Sequence, residues 1–291
     1  FFNRALKGRY PPASSIKPAI AMFGIEEGLI DWDFSIFDEG FFTLPEDGRI
    51  YRDWKEGGHG DTNLFKAITQ SSNTYFFDLA YRSDINQLNK HLSSLGFGGK
   101  ACIDCFEEDK VFVPEPSWKM NKHNFGWFKG DTVNMGVGQG YLVSTPIQLA
   151  KYAYIMANKG KFSDLSLKKD LVKSEKSIEF NKFSNDDWFK LHESMVNVIE
   201  GNTGTARRLR EKKNYIVAAK TGTAELVSGD NREQYSETRL DDSLRDHALI
   251  IAFGPMPNPR YAVSVVVENG ESGGSVAGPV AISVLNSLIQ E

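Results

Sequence analysis

Cysteine is almost absent from this chain, with Cys102 and Cys105 the only two among 291 residues. A CxxC pair can be a redox or metal half-site, but thioredoxin-type chemistry needs a βαβ setting and zinc needs a second ligand pair, which no other cysteine supplies. The pair is therefore expected to be structural, as thiols or as a disulfide. Also missing is any stretch near the roughly 18 consecutive apolar residues needed to span a bilayer, and Phe1-Phe2-Asn3-Arg4 lacks a signal-peptide layout. A long basic run is absent as well: 34 basic and 38 acidic residues leave a net charge of -4, which excludes a phosphate-tracking stripe and with it nucleic acid as a partner. Internal repeats and low-complexity tracts are not found.

What is present suits a folded α/β chain. Hydrophobic residues make up 41%, aromatic residues 12% and charged residues 25%, a profile able to bury a sizeable core. Ile16, Ile20 and Phe23 recur at helical spacing and predict a helix over 14–27, with Pro18 near enough its start to be tolerated. A Gly-rich polar stretch from Asp31 to Gly60 reads as loop. Leu64, Ile68, Tyr75 and Leu79 return the pattern to helix over 61–82, and Asp84 is placed to cap another that runs to about Leu95. Thr145-Pro146-Ile147-Gln148 has the form of a capping box with proline at the first helical position, starting a helix that reaches toward Gly160. A Lys-, Ser- and Asp-rich excursion over 161–185 reads as peripheral and precedes an amphipathic helix near 186–200. Apolar runs at 215–219, 248–253 and 261–267 read as strands; Pro257-Asn258-Pro259 makes the last two a hairpin, and a helix over 275–289 closes the chain. The stretches 31–60 and 226–245 are polar enough to move.

Three short motifs follow one another: Ser14-Ser15-Ile16-Lys17, Ser71-Ser72-Asn73 and Lys220-Thr221-Gly222-Thr223. Serine and lysine at i and i+3 share a helix face, so a Lys17 amine can take the Ser14 proton and make Ser14 a nucleophile. That requires a lowered lysine pKa, from desolvation or from a neighbouring cation such as Lys220. Alone the motif is weak, because the same pattern recurs at Ser166 to Lys169. Ser71 and Asn73 offer a hydroxyl to relay a proton and an amide to bind a substrate amide, although capping serines are common at helix ends. Lys220 to Thr223 follows an apolar strand, and Gly222 would let an extended substrate backbone lie along its edge. The hydroxyls and ammonium there would grip a carboxylate, and the Thr223 N–H with that of Ser14 would form an oxyanion hole. Three independent patterns in this order form a specific signal.

This set resembles the S-x-x-K, S-D-N and K-T-G signature of the serine β-lactamases and penicillin-binding proteins, with serine as the middle residue of the second motif. Within them the chain is most similar to the class B penicillin-binding proteins of the elongation-specific, penicillin-binding protein 2 type. Further matching segments are Asn3-Arg4-Ala5, Tyr10-Pro11-Pro12-Ala13, Tyr51-Arg52-Asp53-Trp54, Gly130-Asp131-Thr132, Gly136 to Tyr141, Leu244-Arg245-Asp246-His247 and Glu268-Asn269-Gly270. The resemblance implies an α/β fold of α+β type, in which an antiparallel sheet flanked by helices meets a helical lobe and the active site lies between them. It implies a D,D-transpeptidase with Ser14, Lys17, Ser71, Asn73 and Lys220 catalytic and Thr221, Gly222 and Thr223 binding the stem peptide or a β-lactam. No cofactor is expected. Some relatives hold zinc through two Asp, one His and one Cys, at positions that match Asp38, Asp53, His59 and Ser72 here, and Ser72 breaks that set.

By the same resemblance the 1–291 chain is one transpeptidase domain that lacks the pedestal, the membrane anchor and the first strands of the sheet. Ser14 stands unusually near the start for a complete enzyme, which fits such a fragment. The whole would be a single-span inner-membrane protein with this part periplasmic and soluble by itself, working with a RodA-type glycan polymerase and an MreC-type scaffold. His247 is expected to orient the sheet edge, and His91, His123 and His192 to have surface or packing roles. Two other readings keep the acylation chemistry. A β-lactam sensor would carry an aliphatic residue in place of Asn73, and a β-lactamase needs a dedicated deacylating base, which the sequence does not identify.

Overall fold

In the computed structural model, residues 2–169, 171, 174–226 and 244–289 are described. The first regular element after Tyr10-Pro11-Pro12 is a tight 3-10 turn, Ala13–Ile16, which passes into helix α1, Lys17–Glu26. Ser14 therefore lies on the turn before the α-helix rather than within it. Helix α1 is apolar on every side and buried from Lys17 to Ile25, as a helix at the centre of a lobe must be.

The stretch read as loop from Asp31 to Gly60 is folded. Strand β1, Ser35–Asp38, pairs antiparallel with β4, Gly60–Asn63, and between them β2, Phe41–Thr43, pairs with β3, Ile50–Arg52. Strands of three or four residues are too short for a period of two to show in sequence. Residues 61–82 form two helices, α2, Leu64–Gln70, and α3, Asn73–Arg82, because Ser71 takes the left-handed conformation at φ +62° and ends the first. Helix α4, Ile85–Ser94, starts at Asp84, whose carboxylate accepts from the amides of Asn86 and Gln87. Two helices that sequence patterning did not reveal follow, α5, Pro116–His123, and α6, Lys129–Gly136. Both are eight residues long, little more than two turns, which leaves their period faint.

Helix α7, Pro146–Ala157, begins with the expected capping box, Thr145 accepting from the Gln148 amide and Gln148 reaching back to that of Thr145. The excursion after it is less peripheral than its composition suggests. Phe180 and Phe183 stack on Trp188 of helix α8, Asn185–Glu200, and the Glu26 carboxylate collects the amides of Asn181, Lys182 and Phe183. Cys102 and Cys105 are joined as a disulfide.

Among the described residues the main sheet has three antiparallel strands in the order β5, Ala218–Ala224, β6, His247–Gly254, and β7, Tyr261–Val267. Strand β5 begins three residues later than the apolar run at 215 suggested. The β6–β7 hairpin turns through Pro257-Asn258-Pro259 as expected, with Gly254 opposite Tyr261. Helix α9, Gly278–Ile289, closes the described chain after a wide turn at Gly273–Ala277. Most of residues 226–245, read as mobile, lies outside the described residues.

Strand β6 is buried on both faces, which explains why it reads as a continuous apolar run. Leu249, Ile251 and Phe253 face the lobe core, which includes α1 and α7, while Ala248, Ile250 and Ala252 pack against Ala281, Ile282 and Leu285 of α9. The same alternation turns Lys220 and Gly222 of β5, between Ala218 and Ala224, toward the lobe. No helix among the described residues is long and apolar enough to cross a membrane.

Candidate active site

The Ser14 turn is held from two sides. Ala13 sits at φ +49°, a conformation unfavourable for an L-residue, and its N–H donates to the Gly138 carbonyl at 2.8 Å. Gly138 must be glycine, since a Cβ there would lie 2.2 Å from the Ala13 carbonyl oxygen. On the sheet side a Cβ at Gly222 would stand 3.2 Å from the Pro12 carbonyl and 3.3 Å from the Ser15 nitrogen. Strand β5 thus touches the turn that carries Ser14, and Ser14 itself is half-buried while its neighbours Ala13, Ser15 and Ile16 are buried.

Three of the four lysine, serine and asparagine side chains beside it meet at one hydroxyl. Lys17 Nζ donates to Asn73 Oδ1 at 2.7 Å and to the Ser71 carbonyl at 2.8 Å, and lies 3.3 Å from Ser71 Oγ. Lys220 Nζ reaches the same Ser71 Oγ at 2.7 Å from the opposite wall. Both lysines are fully buried, and the Phe76 ring lies 5.5 Å from the Lys17 ammonium. Burial lowers Lys17 to about 7, against the opposing pull of Asp53 and Asp38. Burial also holds Lys220 well below the usual lysine range, with the charge of Lys17 adding to it. Of the two causes the sequence allowed, desolvation and a neighbouring Lys220 cation, desolvation is the one that lowers Lys17, and the cationic effect runs from Lys17 to Lys220. The Ser71 hydroxyl, which can both donate and accept, connects the two amines.

The Ser71–Asn73 loop is gripped by a dipeptide whose role the sequence did not reveal. Asp53 Oδ2 accepts from the amides of Asn73 at 2.6 Å and Thr74 at 3.0 Å, capping α3. Trp54 Nε1 donates to the Ser71 carbonyl at 3.1 Å. Burial works to raise the Asp53 pKa, but His59, Lys17 and the amides of Thr74 and Lys55 outweigh it and hold the carboxyl below its usual range. Tyr51-Arg52-Asp53-Trp54 had stood out only as a matching segment; its charge next to an aromatic gave no sign of what it would touch.

Asp38, Asp53 and His59 do come together, with ligating atoms within 4.8 Å of one another. Their donor set does not suit zinc. The fourth position is the neutral hydroxyl of Ser72, which donates to Asp38 Oδ2 at 2.7 Å and accepts from the Tyr75 amide at 3.1 Å. His59 Nε2 is 3.2 Å from Asp53 Oδ1, and its Nδ1 is 2.9 Å from Gln70 Oε1. The group is a closed hydrogen-bond network behind the Ser-Asn loop.

The remaining strand residues divide between two partners. Thr221 Oγ1 lies 2.7 Å from Thr205 Oγ1, and the carbonyl of exposed Thr223 accepts from Gln139 Nε2 at 3.2 Å. Thr205 was not singled out from sequence, and Gln139 stood there only within the matching segment Gly136 to Tyr141. The second S-x-x-K stands apart, with Ser166 bonded to Asp104 beside the disulfide. His247 accepts from the Asn269 amide at 3.0 Å, as a residue that orients the sheet edge would. His91 and His192 bond the carbonyls of Ala19 and Met156 and serve packing.

A helical lobe thus packs against an antiparallel sheet, and two buried lysines meet at Ser71 between them. The penicillin-binding protein transpeptidase domain model matches residues 1–286, and the chain belongs to that family. It is 40% identical over 285 residues to the peptidoglycan D,D-transpeptidase MrdA of Acinetobacter baumannii, covering 95% of this chain and 42% of that protein. The MrdA of Haemophilus influenzae is 37% identical, covering 100% of this chain and 46% of that one. The chain thus spans about half the length of the curated relatives it matches. Among solved structures it is similar to penicillin-binding protein 2 of Pseudomonas aeruginosa, with TM-score 0.89, 36% identity, and 100% of this chain and 63% of that chain covered. Penicillin-binding protein 2 of Helicobacter pylori, solved in complex with MreC, gives TM-score 0.84 at 30% identity, covering 99% of this chain and 51% of that one.

Proposed function

We propose that this chain is the transpeptidase part of an elongation-type peptidoglycan D,D-transpeptidase and that Ser14 is its nucleophile. The observation that carries the reading is the meeting of Lys17 and Lys220 at Ser71 Oγ beside the Ser14 turn. Lys17, neutral in part near pH 7, takes the Ser14 proton as the oxygen bonds to the carbonyl carbon of the penultimate D-Ala of a stem peptide. The backbone amides of Ser14 and Thr223 receive the developing oxyanion. When the C–N bond to the terminal D-Ala breaks, the proton passes through Ser71 to the leaving amine. An amine of a neighbouring stem peptide then attacks the acyl carbon, and its proton returns by the same route as Ser14 is released. Asn73 holds a substrate amide, and Lys220, Thr221 and Thr223 hold the terminal carboxylate, with Gly222 leaving room for the backbone. A β-lactam would acylate Ser14 in the same way and persist.

In this reading the chain is a periplasmic portion of a longer protein anchored in the inner membrane by a single span. The whole would act with a RodA-type polymerase and an MreC-type scaffold. In this reading the acyl transfer runs on the chain's own side chains, with no step assigned to a cofactor. Incubation with a labelled penicillin followed by intact-mass analysis tests the reading. A long-lived adduct mapped to Ser14, lost in Ser14→Ala, is expected along with D-Ala release from a stem-peptide mimic. Rapid turnover of the adduct, or an adduct that survives Ser14→Ala, would overturn it.

A further inference from the structure

Among the described residues no strand pairs with the outer edge of β5, yet that edge is already occupied. In a strand, residues two apart turn their backbone groups to the same side, so Thr221 and Thr223 share an edge. Strand β6 covers the other side of β5. At the outer edge the Thr221 carbonyl accepts from Lys220 Nζ at 3.2 Å, and the Thr223 carbonyl accepts from the side-chain amide of Gln139, also at 3.2 Å. An extended peptide that adds to this edge needs the Thr223 carbonyl for its own N–H. Gln139 presents the same chemical group, an amide N–H, at the same acceptor.

The base from which Gln139 reaches is fixed. It stands between Gly138 and Gly140, both left-handed at φ +73°, and its own N–H donates to the Asn134 carbonyl at 3.0 Å. Gly138 in turn holds the Ala13 amide. The backbone of this turn is therefore bound to the Ser14 turn, whereas the Gln139 side chain is half-buried and has rotatable bonds that let it leave.

We propose that Gln139 is a specificity-determining residue, a stand-in for the substrate amide that keeps the Thr223 carbonyl satisfied until an acyl donor with a backbone-type N–H in register displaces it. The inference rests on the acyl-transfer reading above. A donor with that N–H replaces the Gln139 bond with its own, while a donor without it leaves Gln139 in place. The resting contact also blunts an edge that would otherwise pair with any extended chain.

The test compares two acylating probes by intact mass: benzylpenicillin, whose side chain carries an amide N–H, and a carbapenem, which has none at that position. In Gln139→Met, of similar length but with no N–H, the competing donor is gone. The second-order acylation rate for benzylpenicillin is expected to rise about two- to tenfold, the range of one net hydrogen bond, while the carbapenem rate holds. Should Gln139→Met not fold, Gln139→Glu, which also lacks the N–H, carries the same comparison. Equal changes for both probes, no change, or a loss confined to benzylpenicillin would overturn the proposal. Failure of either probe to label Ser14 in the unaltered protein would instead overturn the acyl-transfer reading, and this inference with it.

Discussion

The two walls of the cleft are built to different standards of order. On the lobe side, Ser71 and Asn73 are held by Lys17, Asp53 and Trp54, and Ser72 is bonded to Asp38. On the sheet side, the outer edge of β5 near Thr223 is met, among the described residues, by the side-chain amide of Gln139. The difference separates two tasks. Proton transfer needs atoms fixed to a few tenths of an ångström, whereas substrate binding needs an edge that can exchange one partner for another.

The largest effect should come from the lobe wall. Lys17→Arg keeps a cation but places a guanidinium that does not lose its proton where a partly neutral amine stood. Acylation of Ser14 by a penicillin is expected to fall about 10²- to 10⁴-fold, the usual range for a general base, measured as a second-order rate constant. A loss smaller than tenfold would show that the fixed wall is not the proton-transferring one. The pH dependence follows from the lowered Lys17 pKa. Above about 7 the amine is mostly free and the rate should level off, and below it the rate should fall as the amine gains its proton.

A middle-sized effect is expected from Asp53→Ala, which strips two amides at the start of α3 and one face of His59 of their acceptor. Leaving such buried donors unpaired should lower stability by about 2–4 kcal/mol in urea denaturation. Asn73 should lose its fixed place at the same time and the acylation rate should fall with it. If stability drops while the rate stands, the grip on the loop serves folding alone.

The smallest effect, none, is expected from metal removal. Chelation of zinc should leave the thermal midpoint unchanged, since Ser72 offers a hydroxyl where a thiolate would be needed. Ser72→Cys should sharpen the contrast by creating a zinc-dependent rise in the midpoint. A fall on chelation in the unaltered protein would contradict the closed hydrogen-bond network.

These two walls were not equally legible in sequence. The motifs could be read because each joins a reactive group to a local pattern: serine and lysine one turn apart, and Lys-Thr-Gly at the end of an apolar run. The cap at Thr145 was legible because capping is a matter of four neighbouring residues. The break at Ser71 was not, since the residues that hold it in its left-handed conformation, Lys17, Trp54 and Lys220, lie far away in the chain. The strands at 35–63 were hidden for a different reason, being too short and too polar to show a period. Gln139 stood only within a matching segment and Thr205 in none, and what each touches appears only when the sheet edge is placed beside them.

The proposed acylation depends on Lys17 being an amine that gives up its proton near neutral pH inside a fixed wall. NMR titration of selectively labelled lysine, with the Lys17 signal assigned by its loss in Lys17→Arg, reads this directly. The expected midpoint is about 7. A Lys17 signal that stays protonated until about 10, like a solvated lysine, would contradict the mechanism at its first step.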